Sequence, residues 1–166
     1  MSGPFNLKPI SIASIPRALE KAERYRLLNE PEQAESICLD ILDAEHNNQR
    51  ALVTLILALT DQFATVGASL SVHRAGDYLA RLTDEYQRNY YGGMIRERQA
   101  RAYFRRGMDR ASAYDAFREA MDWFEKAAAI RPDGDDEALL RWNACVRTIR
   151  RANLEPRPRE PEQPLE

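Results

Sequence analysis

The amino-acid sequence predicts an all-α protein. Between residues 15 and 152 alanine, leucine, glutamate and arginine dominate, and these residue types favour the α-helix. Apolar residues in this region recur at intervals of three and four, which is the spacing of one helix face. No segment carries a credible strand pattern. At 166 residues, the chain has the length of one domain with its own hydrophobic core.

The first two helices are predicted from an apolar stripe and from start signals. The first spans about residues 15–28, and Ser14 is expected to cap its N-terminus. The second follows a start signal at residues 29–32 and ends near residue 44. Asn29 is expected to cap it, with Glu32 three residues later completing a capping box.

The middle of the chain predicts three further helices. Residues 50–62 are apolar almost all round, so we expect this third helix at the centre of the core. A weakly periodic connection at 63–70 precedes a fourth helix over 71–83. A fifth pattern over 86–106 crosses Gly92-Gly93, where we expect a kink or a short break.

The last part predicts two helices and a tail. A long helix covers residues 109–130 and a final helix covers 136–151, with Asp133 in the turn between them as the expected cap. The segment after Leu154 is rich in proline and glutamate and has no apolar face. The predicted organisation is an N-terminal arm at 1–14, a helical domain at 15–152 and a Pro/Glu-rich disordered tail at 153–166.

One spacing occurs twice and suggests a helical repeat. An alanine, a larger apolar residue, a further apolar residue and a linker residue follow one another at offsets of four, three and five. The two sets are Ala120, Phe124, Ala127, Pro132 and Ala34, Cys38, Ile41, His46. This pattern resembles the second half of a tetratricopeptide repeat (TPR). Less regular versions place Ala75, Leu79 and Leu82 in a second repeat, and Ala100, Tyr103 and Gly107 in a third.

The resemblance implies a short right-handed helical-repeat solenoid of three TPR-like helix pairs, closed by the last helix as a C-terminal cap. Small residues at Ala34, Ala75 and Ala120 would let paired helices approach closely. In this family, the first helix of each pair lines a concave groove that docks peptides or other proteins.

The resemblance also implies a set of groove residues. The expected peptide-binding set is Arg26, Arg50, Leu57, Arg101, Phe104, Arg105, Asn143 and Arg147. Guanidinium groups bind carboxylates bidentately, so such a groove would suit an acidic or C-terminal peptide. The family's lysine-rich carboxylate clamp is not reproduced, since only three of the 24 basic residues are lysine. Alternatively, several of these arginines only pair with Glu97, Glu119 or Asp115 on neighbouring helices.

Several other functions lack support in the sequence. A formal charge of −2 and a pI near 5.8 argue against a nucleic-acid-binding protein. No nucleotide-binding, zinc-protease or dithiol motif is present, so no catalytic residue, cofactor or metal site is predicted. Cys38 and Cys145 fit buried hydrophobic positions in a reducing compartment. The N-terminus does not have the pattern of a signal peptide, which predicts a cytoplasmic protein without a membrane partner.

The sequence therefore favours a non-enzymatic adaptor that binds a peptide or protein segment in the concave groove. The alternative is a self-assembling structural or homodimeric scaffold, with residues 86–94 or 109–130 as the interface. A weaker alternative is an RNA-associated protein that uses the arginines of 94–110. The acidic segment 155–166 is a further candidate, as a weak internal competitor for the groove.

Overall fold

A computed structural model describes residues 3–65, 68–107 and 109–160 of the chain, with side chains excepted at 68–70. A 3₁₀ turn at Ile12–Ser14 precedes seven α-helices in these residues, and no strand occurs among them. The helices are α1 Ile15–Leu27, α2 Pro31–Ala44, α3 Gln49–Asp61, α4 Ala68–Leu79, α5 Glu85–Arg105, α6 Arg110–Ala129 and α7 Glu137–Ala152. The predicted all-α class is confirmed for the described residues.

Two of the predicted helix starts are wrong, each for a different reason. The Ser14 hydroxyl does not cap α1 but donates to the Ser11 carbonyl at 2.7 Å. Asn29 has a left-handed backbone, with φ of 60°. The amide of the following residue, Glu30, donates to the Tyr25 carbonyl at 2.9 Å. This is the geometry that closes a helix. Asn29 therefore ends α1 instead of opening α2.

The predicted cap of the last helix is also displaced. Asp133 does not cap α7, which begins at Glu137. The Asp135 carboxylate accepts from the Glu137 amide at 3.0 Å. Between Asp133 and α7, the chain turns at Gly134, whose φ is 80°. Asp133 therefore belongs to the turn, and Asp135 supplies the side-chain bond at the start of α7 instead.

Helix α4 begins and ends earlier than predicted, at Ala68 and Leu79 instead of 71 and 83. Residues 80–83 form a turn and an irregular connection instead of a further helical turn. Asp84 then caps α5, with an extended backbone and a carboxylate that accepts from the Gln87 amide at 2.8 Å. The Gln49 side chain also accepts from the Thr83 amide at 2.9 Å, which ties this connection to α3.

Gly92 and Gly93 serve close packing, and α5 does not break there. A Cβ atom on Gly93 would lie 2.5 Å from the Phe124 ring, and one on Gly92 would lie 2.9 Å from the Trp123 ring. Both rings belong to α6, so the absence of Cβ atoms lets the two helices approach closely. The expected short break is therefore absent, and the two glycines serve to make room for the rings of α6.

The core consists of two clusters that meet at α5. Ile95 and Ala102 belong to the cluster formed mainly by α1–α4, whereas Met94 and Ala100 belong to the cluster formed with α6 and α7. Each helix contacts the next, and α3 also contacts α1 and α5. The alanines of the repeat pattern have no exposed surface: Ala34, Ala75, Ala100 and Ala120. In the described part of the chain, no helix has the length and hydropathy required to cross a bilayer.

Candidate functional site

A cleft of about 530 Å³ is lined by side chains from all four odd-numbered helices, α1, α3, α5 and α7. We name it the arginine cleft, after its five arginines and single acidic lining residue: Arg26, Arg98, Arg101, Arg105, Arg141 and Asp61. Polar surface predominates in its lining. The cleft is open to solvent and therefore accessible to a large ligand.

Asp61 joins two of these arginines at one end of the cleft. Its Oδ2 atom accepts from Arg26 Nε at 2.8 Å, and its Oδ1 atom accepts from Arg98 Nη1 at 2.7 Å. All three side chains are partly buried, which makes this pairing less screened than a surface ion pair. The three residues come from α1, α3 and α5, so the cluster fixes those helices relative to each other.

Glu97 has a similar position between two other arginines. Its side chain has no exposed surface, and its Oε1 atom accepts from Arg101 Nη2 at 2.8 Å. The Oε2 atom makes no hydrogen bond among the described residues and lies 3.6 Å from Arg141 Nη1. A buried carboxylate requires such cationic neighbours. Glu97 therefore holds Arg101 and Arg141 in place from behind the cleft wall.

The charges in the cleft do not balance. Arg26, Arg98, Arg101 and Arg141 share the two carboxylates of Asp61 and Glu97. Arg105 is exposed and has no ion-pair partner in the described part of the chain. Five guanidinium groups thus face two carboxylates. The excess positive charge and the remaining N–H donors suit an anionic ligand.

An adjoining pocket of about 300 Å³ shares Arg101 and Arg105 with the cleft. Its apolar side is formed by Phe104 and Phe117, and Phe104 is 42% exposed. A large exposed aromatic ring beside cationic groups is typical of an anchor position in protein interfaces. A ligand that combines a carboxylate with an apolar side chain would contact both parts.

The structure brings four of the eight sequence-predicted residues to this region. Arg26, Arg101 and Arg105 line the cleft, and Phe104 lines the adjoining pocket. The other four lie outside both linings: Arg50, Leu57, Asn143 and Arg147. Arg50 makes two bonds of 2.8 Å to the Glu23 carboxylate, and Leu57 packs against the second core cluster. Asn143 and Arg147 are exposed on α7.

Sequence reasoning missed Asp61, Arg98 and Arg141. Arg98 precedes Arg101 by three residues, so their shared helix face could have indicated it. The other two gave no usable signal, because their partners are distant in the chain. The alternative of simple pairing is observed in part. Arg26 and Arg50 form ion pairs between α1 and α3, with Asp61 and Glu23, whereas Arg101 pairs with Glu97 of its own helix. Arg96, which is outside the predicted set, pairs with Glu119 at 3.1 Å. Asp115 has no ion pair in the described residues.

The two cysteine thiols are not nucleophilic at neutral pH. Cys38 and Cys145 are free and fully buried, and burial raises the pKa of each to about 12. The thiolate, which is the nucleophile, is therefore not populated at neutral pH. The chemistry that the cleft offers is the binding of anions by fixed guanidinium groups.

No protein-family model, curated protein or solved structure matches this chain.

Proposed function

We propose that this protein is a non-enzymatic adaptor that binds an acidic segment of another protein in the arginine cleft. The observation that carries the proposal is the charge of the cleft, where five guanidinium groups meet two carboxylates. Guanidinium groups recognise carboxylates through two parallel N–H donors, and they keep their charge at any physiological pH. Phe104, in the adjoining pocket, supplies an apolar contact for the same segment.

The proposed helix arrangement is the short TPR-like solenoid suggested by the sequence. Two observations support it. The cleft is lined by α1, α3, α5 and α7, which would be the first helix of each pair and the cap. The repeat alanines Ala34, Ala75 and Ala120 are fully buried, as close pairing of helices requires. We further propose a cytoplasmic location, which is supported by the two free buried thiols.

The test compares arginines inside and outside the cleft. A library of fluorescent peptides rich in glutamate, with free or amidated C-termini, is screened by anisotropy against the full chain. We expect Arg105→Gln to weaken binding of the selected peptide about tenfold, because a charge-assisted hydrogen bond is lost. Arg50→Gln and Arg147→Gln remove the same charge outside the cleft lining and should leave affinity within about twofold.

Other outcomes of this experiment would reject the proposal. An equal loss in all three variants would indicate attraction by net charge alone. Tighter binding of single-stranded RNA than of any peptide, with the same loss in Arg105→Gln, would support the RNA alternative. Sedimentation of the unliganded chain at several concentrations addresses the homodimeric alternative, which requires a mass that rises with concentration.

A further inference from the structure

A second pocket, of about 420 Å³, lies where the start of α5 meets the turn between α6 and α7. We name it the tyrosine pocket. Its main lining residues are three tyrosines and three acidic residues: Tyr86, Tyr90, Tyr91, Asp84, Asp135 and Glu137. Neither lysine nor arginine lines it. Its composition is thus opposite in charge to that of the arginine cleft.

The three rings form a connected aromatic wall. Tyr86 and Tyr90 are stacked, with ring centroids 6.0 Å apart and planes 12° apart. Tyr91 meets Tyr90 edge-on, with centroids 5.1 Å apart and planes at 81°. Aromatic ring faces carry partial negative charge and attract cations within about 6 Å. All three rings line the pocket, so a cation that enters it lies close to them.

The tyrosines remain neutral at physiological pH. Burial raises the pKa of Tyr86, and the nearby Asp135 carboxylate raises it further. Burial also raises the pKa of Tyr90 and Tyr91. The Tyr86 hydroxyl oxygen is inaccessible to solvent and has no hydrogen-bond partner in normal geometry among the described residues.

The carboxylates of the pocket lack cationic partners. Asp84 and Asp135 each accept a backbone amide, at 2.8 and 3.0 Å, and Glu137 accepts a long bond of 3.4 Å from the Tyr90 hydroxyl. None of the three forms an ion pair in the described part of the chain, whereas the neighbouring Asp136 pairs with Arg131 at 3.2 Å. Three carboxylates without a lysine or arginine partner in the described residues therefore lie around the aromatic wall.

We propose that the tyrosine pocket binds a cationic side chain, lysine or arginine, of a partner polypeptide. The three aromatic rings and the three carboxylates supply two attractions for the same charge, one by cation–π contact and one by charge pairing. This site is separate from the arginine cleft and takes a ligand of opposite charge.

The test uses small probes and the full chain. Nα-acetyl-lysine amide and Nα-acetyl-arginine amide are titrated while the NMR signals of the three tyrosines are followed, and the uncharged Nα-acetyl-norleucine amide serves as reference. We expect saturable shifts of Tyr86, Tyr90 and Tyr91 with at least one cationic probe and none with norleucine. A single contact of this kind corresponds to a dissociation constant of about 1 mM.

A matched pair of double variants separates the pocket from overall charge. Asp135→Asn with Glu137→Gln removes two charges but keeps size and hydrogen-bond acceptors, and should weaken the probe about tenfold. Glu32→Gln with Asp43→Asn removes two exposed charges on α2 and should leave affinity unchanged. The proposal is overturned if both double variants behave alike, if the pocket variant keeps full affinity, or if norleucine amide gives the same shifts.

Discussion

At the scale of single residues, the most demanding position is a glycine. Gly93 leaves room for the Phe124 ring of α6, which would lie 2.5 Å from a Cβ atom at this position. Phe124 has no exposed surface, so its ring cannot move outward without disturbing the second core cluster. Gly76 of α4 has the opposite environment, since nothing lies within 4 Å of its missing Cβ. Gly93 and Gly76 can therefore be compared directly, since both lie in helices but only Gly93 packs against another side chain.

Gly93→Ala is expected to destabilise the protein by about 1–3 kcal/mol, the usual effect of overpacking a core. Gly76→Ala should instead stabilise it by up to about 1 kcal/mol, because alanine favours the helix and meets no clash here. Urea unfolding of both variants measures these changes. A stabilised Gly93→Ala variant would show that α5 and α6 are further apart than described.

At the scale of helices, the chain uses one residue to separate α1 from α2. Asn29 adopts φ of 60°, a conformation that asparagine tolerates better than most residues and that alanine resists. The Glu30 amide can then reach the Tyr25 carbonyl and close α1. This closure also sets the direction in which α2 leaves α1.

Asn29→Ala should cost about 1–2 kcal/mol of stability, whereas Asn29→Gly should be neutral or slightly stabilising. The reason is the left-handed backbone, because Asn29 makes no side-chain hydrogen bond in the described residues. Thermal unfolding of the two variants distinguishes this backbone requirement at Asn29 from a role of its side chain in capping α2. If glycine proved as damaging as alanine, the asparagine side chain itself would be required.

Helix positions and the fully buried alanines were predictable because apolar periodicity reports directly on burial. Helix ends were less predictable, since asparagine at position 29 suits both the end of one helix and the start of the next. Gly92-Gly93 was ambiguous for a similar reason, because two adjacent glycines in a helical pattern can indicate either a break or close packing against another helix. Half of the predicted binding set reached the cleft region. Asp61 could not be predicted, because 35 and 37 residues separate it from its two arginine partners.

At the scale of the whole molecule, the two cysteines lie in separate halves of the core. Cys38 belongs to the first cluster and Cys145 to the second. Burial raises the pKa of both thiols from 9.0 to about 12. An unfolded chain binds fewer protons than the folded one between these two values. The stability contributed by the neutral thiols is therefore complete below pH 9 and decreases as the pH rises towards 12.

We expect the free energy of unfolding to decrease above pH 9, by at most about 1.4 kcal/mol per pH unit for each thiol. A Cys38→Ala, Cys145→Ala variant is less stable at neutral pH but should lose stability less steeply in alkali. The buried tyrosines, whose pKa values are also raised, account for the remaining slope. Urea unfolding across this range is the measurement. Parallel slopes for the two proteins would contradict the assignment to the thiols.

Helix α5 contributes to both core clusters, with Ile95 and Ala102 in one and Met94 and Ala100 in the other. Loss of either cluster therefore removes part of the packing around this helix. We expect this sharing to couple the two clusters into one cooperative unit. Amide hydrogens at the centre of α5 should then exchange with solvent only when the entire domain opens, and hydrogen exchange should be slowest in this helix.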